Sequence, residues 1–242
     1  DSQFGGNHTT YGLENKISII SRKTISLYGG IMSTYIFDFD GTLGDSMPFF
    51  TEGMLEILNK HEIAYSADMI KIITPLGYKG TAKYYIEEFG LPYTADALVT
   101  AMHEYLYPIY RDEIELKPGV VEYLNKLRKK GHSLNVLTAS PFKMVAAVSM
   151  RYGVFDLFDN VWSCEDFDMT KGEPEIYHAA VERAGGKLED SYFFDDNLEA
   201  VKTAVSAGIY TIGVYDKASD DYVEEIKKTA NKFIYNFDTD IL

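Results

Sequence analysis

One cysteine, Cys164, stands in 242 residues. No disulfide can form within the chain, and the lone thiol fits a reducing compartment, so a cytoplasmic location is expected. No apolar run reaches the roughly 18 residues of a membrane-spanning helix. Basic residues are scarce: 23 Lys and Arg face 37 Asp and Glu, leaving a net charge of −14. Such a chain repels nucleic acid and anionic membrane, and an anionic ligand would need local cations. The five histidines (His8, His61, His103, His132, His178) show no metal-ligand spacing, which argues against a zinc site. There is no internal repeat and no low-complexity tract. The rest of the composition is 46% hydrophobic and 25% charged, a globular mix. The length suits one large domain, or one domain carrying an inserted one.

Residues 1–31 have no core-like periodicity, and Arg22 and Lys23 interrupt their short apolar piece. They are expected to be a leader or extension outside the fold, with Met32 as a natural start. The Asn7-His8-Thr9 sequon is a chance match in a cytosolic chain. From Met32 onward, strand-like runs at 34–39, 133–138, 160–163, 191–195, 210–215 and 233–237 alternate with amphipathic stretches such as 119–131 and 173–186. That alternation predicts an α/β fold, a parallel sheet covered on both faces. Its ligands would sit beyond the carboxyl ends of the strands. One gap breaks the pattern. Residues 46–116 read as three helices with a fourth near 66–73 and no strand, enough for an inserted helical bundle.

The chemistry begins at "IFDFDGTLGDS", residues 36–46. Asp38 closes the first strand run and Asp40 falls in the following turn, while Asp195-Asp196 closes a later strand in "SYFFDDN". A parallel sheet gathers all four acids at one edge. Uncompensated, they would be costly, so a cation is implied. Few hard oxygen ligands with room for water suit magnesium. A helix-loop-helix calcium site does not fit, because Gly41 and Phe49 occupy the wrong positions of the loop. Further on, "LTASPFK" ends a strand at Thr138. Ser140-Pro141 reads as a helix cap and first turn, whose amides form an anion site with the Thr138 hydroxyl. Lys171, in the loop "MTKGEP", would balance a phosphate.

"DFDGTLGDS", "LTAS", the lysine of "TKGEP" and "FFDDN" together resemble the four ordered motifs of the haloacid dehalogenase superfamily, in its phosphatase branch. The inserted helices resemble the cap of its phosphoglycolate phosphatase-like and phosphoglucomutase-like members. The resemblance implies a Rossmann-like core (residues 32–45 and 117–242) with a helical cap at 46–116. It also implies magnesium and an aspartyl-phosphate intermediate on a small phosphorylated metabolite. Asp38 matches the nucleophile and Asp40 the general acid and base. Asp38, the Asp40 backbone carbonyl and Asp196 match metal ligands, with Asp195 close by. Thr138, Ala139 and Lys171 match phosphate-binding positions. Two departures stand out. Gly44 replaces a usual apolar residue, which predicts a looser hinge, and Gly172 replaces the proline after the motif lysine, which predicts a less rigid loop. The alternatives are a sugar-phosphate phosphomutase and a catalytically idle phosphate-binding relative; the latter requires a missing motif residue, and none is missing.

Within the cap, "PLGYKGT" reads as a glycine-flanked loop reaching over the pocket, with Tyr78 and Lys79 as substrate contacts. The tyrosines of "AKYYIEEF" and "HEYLYPIY" are expected to serve packing. Cys164 is expected to be an inert buried thiol rather than a nucleophile.

Overall fold

The computed structural model describes residues 32–238 and residue 241. The expectation for residues 1–31 therefore lies outside the described residues. Six strands, β1 (Thr34–Phe37), β2 (Ser133–Thr138), β3 (Asn160–Ser163), β4 (Ser191–Asp195), β5 (Tyr210–Val214) and β6 (Lys232–Ile234), form one sheet. Every neighbouring pair is parallel, in the order β3-β2-β1-β4-β5-β6. The chain winds outward from β1 in both directions, so the crevice of a parallel sheet opens at the carboxyl ends of β1, β2 and β4.

β1 is buried along its whole length because both faces are covered. Tyr35 and Phe37 join Leu134, Val136, Phe194 and Ile212 in one core. Ile36 joins Leu137, Phe193 and Tyr177 in the other. Near-continuous apolar strands are what a doubly covered parallel sheet requires. β1 ends at Phe37, two residues short of the sequence expectation. The Asp38 amide still donates to the Phe194 carbonyl at 2.8 Å, but the Phe39 carbonyl turns to accept the amides of Leu43 and Gly44. That turn takes Phe39 and Asp40 out of the ladder. β6 likewise stops at Ile234 instead of 237.

Between β1 and the helix α5 (Val120–Lys129) lie α1 (Met47–Lys60), α2 (Asp68–Ile73), α3 (Gly77–Phe89) and α4 (Ala95–Asp112). These four helices enclose a core of their own, with Met54, Ile57, Leu58, Ile73, Tyr85, Leu98 and Met102. Tyr84 and Tyr85 serve this packing, as expected. The stretch "PLGYKGT" does not form the expected loop. Thr74–Leu76 is a short 3-10 turn running straight into α3, and Tyr78 and Lys79 sit in the first turn of that helix. Gly80 allows the tight join, since a Cβ there would lie 2.9 Å from Leu76 Cβ.

α4 is fastened to the sheet-bearing part by Arg151, the last residue of α6 (Phe142–Arg151). Its guanidinium donates to the carbonyls of Tyr110 and Arg111 in the last turn of α4 and of Ile114 just beyond it. The first two are carbonyls that a helix end leaves without partners. α7 (Pro174–Arg183), α8 (Leu198–Ser206) and α9 (Val223–Thr229) complete the cover of the sheet.

Candidate active site

Parallel strands deliver their C-terminal residues to one edge, and Asp38, Thr138, Asp195 and Asp196 all arrive there. Asp38, Asp195 and Asp196 are each at most 4% exposed. Ligand oxygens of the three lie within 4.8 Å of one another, an arrangement able to hold a metal ion. Lys171 reaches in from the loop before α7 and donates to Asp38 Oδ1 and Asp195 Oδ2, both at 2.7 Å. Asp195 Oδ1 accepts the Asn197 amide at 2.8 Å, so both of its oxygens are engaged. Asp196 Oδ1 accepts the Thr42 hydroxyl at 3.0 Å.

One ammonium faces three carboxylates. Burial first, then the charges of Asp195, Asp196 and Asp40, push the Asp38 carboxyl well above the usual carboxylate range, against the opposing pull of Lys171. Burial, then Asp195 and Asp216, push Asp196 up to about 7. For Lys171 burial opposes the charge, but Asp195 and Asp38 outweigh it and hold the ammonium well above its ordinary range. A buried acid cluster short of positive charge is a chemically apt seat for a divalent cation. Behind Asp196 lies a further buried pair, Lys117 Nζ and Asp216 at 2.7 Å, which no motif had signalled.

Gly41 makes the crowding possible. It has φ +78°, and a Cβ there would stand 2.5 Å from Asp196 Oδ2. Gly44 does not loosen the turn. It is buried, bridges to Asp40 and Leu116, and a Cβ would meet the Phe39 ring at 2.8 Å. The loop around Gly172 is likewise tied on both sides. Glu173 Oε1 accepts the Thr170 amide and hydroxyl, and Tyr177 donates to the Lys171 carbonyl at 2.8 Å.

Asp40 faces the four-helix insertion. Its Oδ1 accepts the Ser46 hydroxyl at 2.7 Å and the Tyr110 hydroxyl of α4. Its Oδ2 accepts Ser140 at 2.6 Å and Thr138 at 3.3 Å. Ser140 is therefore not the side-chain cap of α6, as its position before Pro141 had suggested. Pro141 takes the cap position and the Ser140 hydroxyl turns to Asp40. Ser46, Tyr110 and Ser140 were missed as site residues. Ser46 and Ser140 lie within or beside the motifs, whereas Tyr110 is 70 positions from Asp40 and carried no signal. Thr138 also accepts the Ser140 amide at 3.0 Å, and Ala139 beside it is exposed at the strand end. Burial first, and the charge of Asp40 second, raise the Tyr78 phenol well above its ordinary range. Lys79 is exposed on α3.

Residues 32–208 match the haloacid dehalogenase-like hydrolase family. The chain belongs to that family. Relatives of the hydrolase carry phosphatase names. The phosphorylated carbohydrates phosphatase of Thermotoga maritima is 25% identical over 78% of this chain and 88% of its own length. The phosphoglycolate phosphatase of Rhodobacter capsulatus is 28% identical over 74% and 84%. The crystal structure of CbbY from Rhodobacter sphaeroides in complex with phosphate covers 86% of this chain and 95% of its own, with a TM-score of 0.74. Its 20% identity makes that a likeness of fold. No helix among the described residues of the hydrolase is long and apolar enough to cross a membrane.

Proposed function

We propose that the protein is a magnesium-dependent phosphatase of small phosphomonoesters, acting through an aspartyl-phosphate on Asp38, with residues 46–116 as its cap. The observation that carries this reading is the pairing of Asp38 with Lys171 at 2.7 Å inside a buried triad of acids. Asp38, Asp196 and the Asp40 backbone carbonyl would hold the ion. Asp195 is the weaker candidate, since Lys171 and the Asn197 amide already occupy its oxygens. Bound there, the cation would screen the repulsion between carboxylate and phosphate and polarise the phosphoryl oxygens.

In the first step an Asp38 oxygen attacks phosphorus and the bond to the ester oxygen breaks. Lys171, with the Thr138 hydroxyl and the Ala139 backbone, neutralises the phosphoryl oxygens. Asp40 gives its proton to the departing alkoxide. In the second step Asp40 takes a proton from water as that water attacks phosphorus. The Asp38–phosphorus bond breaks and inorganic phosphate leaves. A second acid placed two residues after the nucleophile has this use: one attacks, its neighbour moves the proton.

The test is mass spectrometry after incubation with a reactive phosphate ester. Asp40→Asn keeps the nucleophile and the backbone ligand but loses the proton shuttle, so a phosphoryl adduct should accumulate on Asp38. Turnover should fall about 100- to 10,000-fold. Asp38→Asn should form no adduct. Normal turnover by Asp38→Asn would overturn the mechanism. Release of inorganic phosphate, rather than an isomerised ester, separates phosphatase from phosphomutase.

A further inference from the structure

Lys117 and Asp216 form a buried ion pair that the proposed mechanism leaves unused. Their side chains are 12% and 4% exposed, with Nζ and Oδ2 2.7 Å apart. The Lys117 ammonium also donates to the Tyr215 carbonyl at 2.7 Å. Asp216 Oδ1 accepts the Ala218 amide at 2.8 Å, so both of its oxygens are engaged. Tyr215 and Asp216 directly follow β5, and the Tyr215 amide donates to the Ile234 carbonyl of β6 at 2.8 Å. The Lys117 side chain is thereby fastened to the sheet.

The Lys117 backbone holds a different part of the molecule. It lies in the second connection between the sheet and the four inserted helices, after α4 and before α5. Its amide donates to the Leu43 carbonyl at 2.8 Å, and the Asp45 amide donates to the Glu115 carbonyl at 2.8 Å. With the Gly44–Leu116 bridge, these bonds zip the connection to the turn after β1. That turn is closed on itself, because the Phe39 carbonyl accepts Leu43 and Gly44, and the Gly44 carbonyl accepts Gly41. It carries Asp40, and its Thr42 hydroxyl donates to Asp196 Oδ1 at 3.0 Å. One residue thus ties the turn bearing Asp40 to β5. That strand pairs with β4, at whose end Asp195 and Asp196 lie.

A buried ion pair is weak evidence of added stability, since well-packed apolar residues often replace one without loss. What it supplies here is direction: two short charge-assisted bonds fix where a flexible four-carbon side chain ends. Metal sites depend on such outer contacts, which orient the ligands and are worth about 10- to 100-fold in affinity. Resting on the magnesium-site reading above, we infer that Lys117 is a positioning residue for the metal ligands. Gripped by Asp216 and the Tyr215 carbonyl, it holds the Asp40 backbone carbonyl in place relative to Asp38 and Asp196.

The experiment measures magnesium affinity by calorimetry, without substrate and well below each melting temperature. The proteins are wild type, Lys117→Met and the double variant Lys117→Met/Asp216→Leu. Charge and position predict opposite signs for the single variant. The Lys117 charge acts on Asp196, so removing it should by itself tighten cation binding. Losing the anchor should instead weaken binding at least about tenfold. The double variant removes one charge of each sign and leaves the net charge unchanged. It should regain melting temperature relative to Lys117→Met, because no unpaired carboxylate stays buried. Its magnesium affinity should still lie at least about tenfold below wild type, a loss that a merely structural pair does not cause. Wild-type affinity in the double variant, or tighter binding by Lys117→Met, would overturn the assignment. If Lys117→Met does not fold, the double variant alone decides. Wild type that binds magnesium but releases no phosphate from p-nitrophenyl phosphate would overturn the phosphatase reading and leave the anchor standing. Wild type that binds no magnesium would overturn both.

Discussion

At the scale of single residues, the site is built from groups held under strain. Asp38 and Asp196 are buried carboxylates pushed toward protonation. Each unsatisfied buried group costs about 1–3 kcal/mol until something pairs with it. Binding sites keep such costs because ligands relieve them. Gly41 shows how little room remains. Gly41→Ala adds a methyl 2.5 Å from Asp196 Oδ2 at a φ of +78°. The backbone term alone is about 1–3 kcal/mol, and the displaced carboxylate should also weaken magnesium binding. Urea unfolding and calorimetric titration of magnesium would register both effects. A variant that binds magnesium like wild type would remove Asp196 from the ligand set.

At the scale of elements, position depends on how α4 is anchored. Tyr110 reaches Asp40 from the last turn of α4, whose end Arg151 grips through the carbonyls of Tyr110, Arg111 and Ile114. A lysine cannot serve three acceptors with one rigid fork. Arg151→Lys should therefore lose about 1–3 kcal/mol of stability. It should also lower kcat, as Tyr110 drifts from Asp40, without a matching change in magnesium affinity. Thermal melts and steady-state kinetics would check this; unchanged kcat would make the grip purely structural. α3 carries the opposite lesson about reading sequence. Gly77 and Gly80 look like loop signals, yet both lie in α3, and at Gly80 a side chain is excluded because a Cβ would lie 2.9 Å from Leu76 Cβ. That packing is set by neighbours and is invisible in the glycine itself.

At the scale of the whole molecule, the acidic cluster links metal, proton and stability. The metal-free folded chain holds a proton on Asp196 up to about 7, whereas an ordinary Asp loses it near 3.8. Between those values the folded state binds more protons than the unfolded one, so the Asp196 contribution to stability falls as pH rises. Above that window the full penalty of the bare carboxylate is in place. A divalent cation needs the deprotonated ligand and removes that penalty. Magnesium should therefore raise the melting temperature more at about pH 8 than at about pH 6, with a gain of about 2.7 kcal/mol when the ion exceeds its Kd a hundredfold. A gain independent of pH, or its survival in Asp196→Asn, would place the ion elsewhere.

The sequence by itself determined the edge where chemistry gathers. Strands alternating with helices dictate a parallel sheet, and parallel strands all end on one side, so Asp38, Thr138, Asp195 and Asp196 had to converge. The lysine and glycine motifs were legible because their spacing is local. Tertiary structure alone decided what surrounds Asp40. The Tyr110 and Ser140 hydroxyls and the Arg151 grip come from elements up to 111 residues apart, counted from Asp40 to Arg151. A helix offers several faces, and periodicity reveals which one is apolar. It does not reveal which tyrosine of that face meets a carboxylate, because that depends on how the inserted helices lie against the sheet.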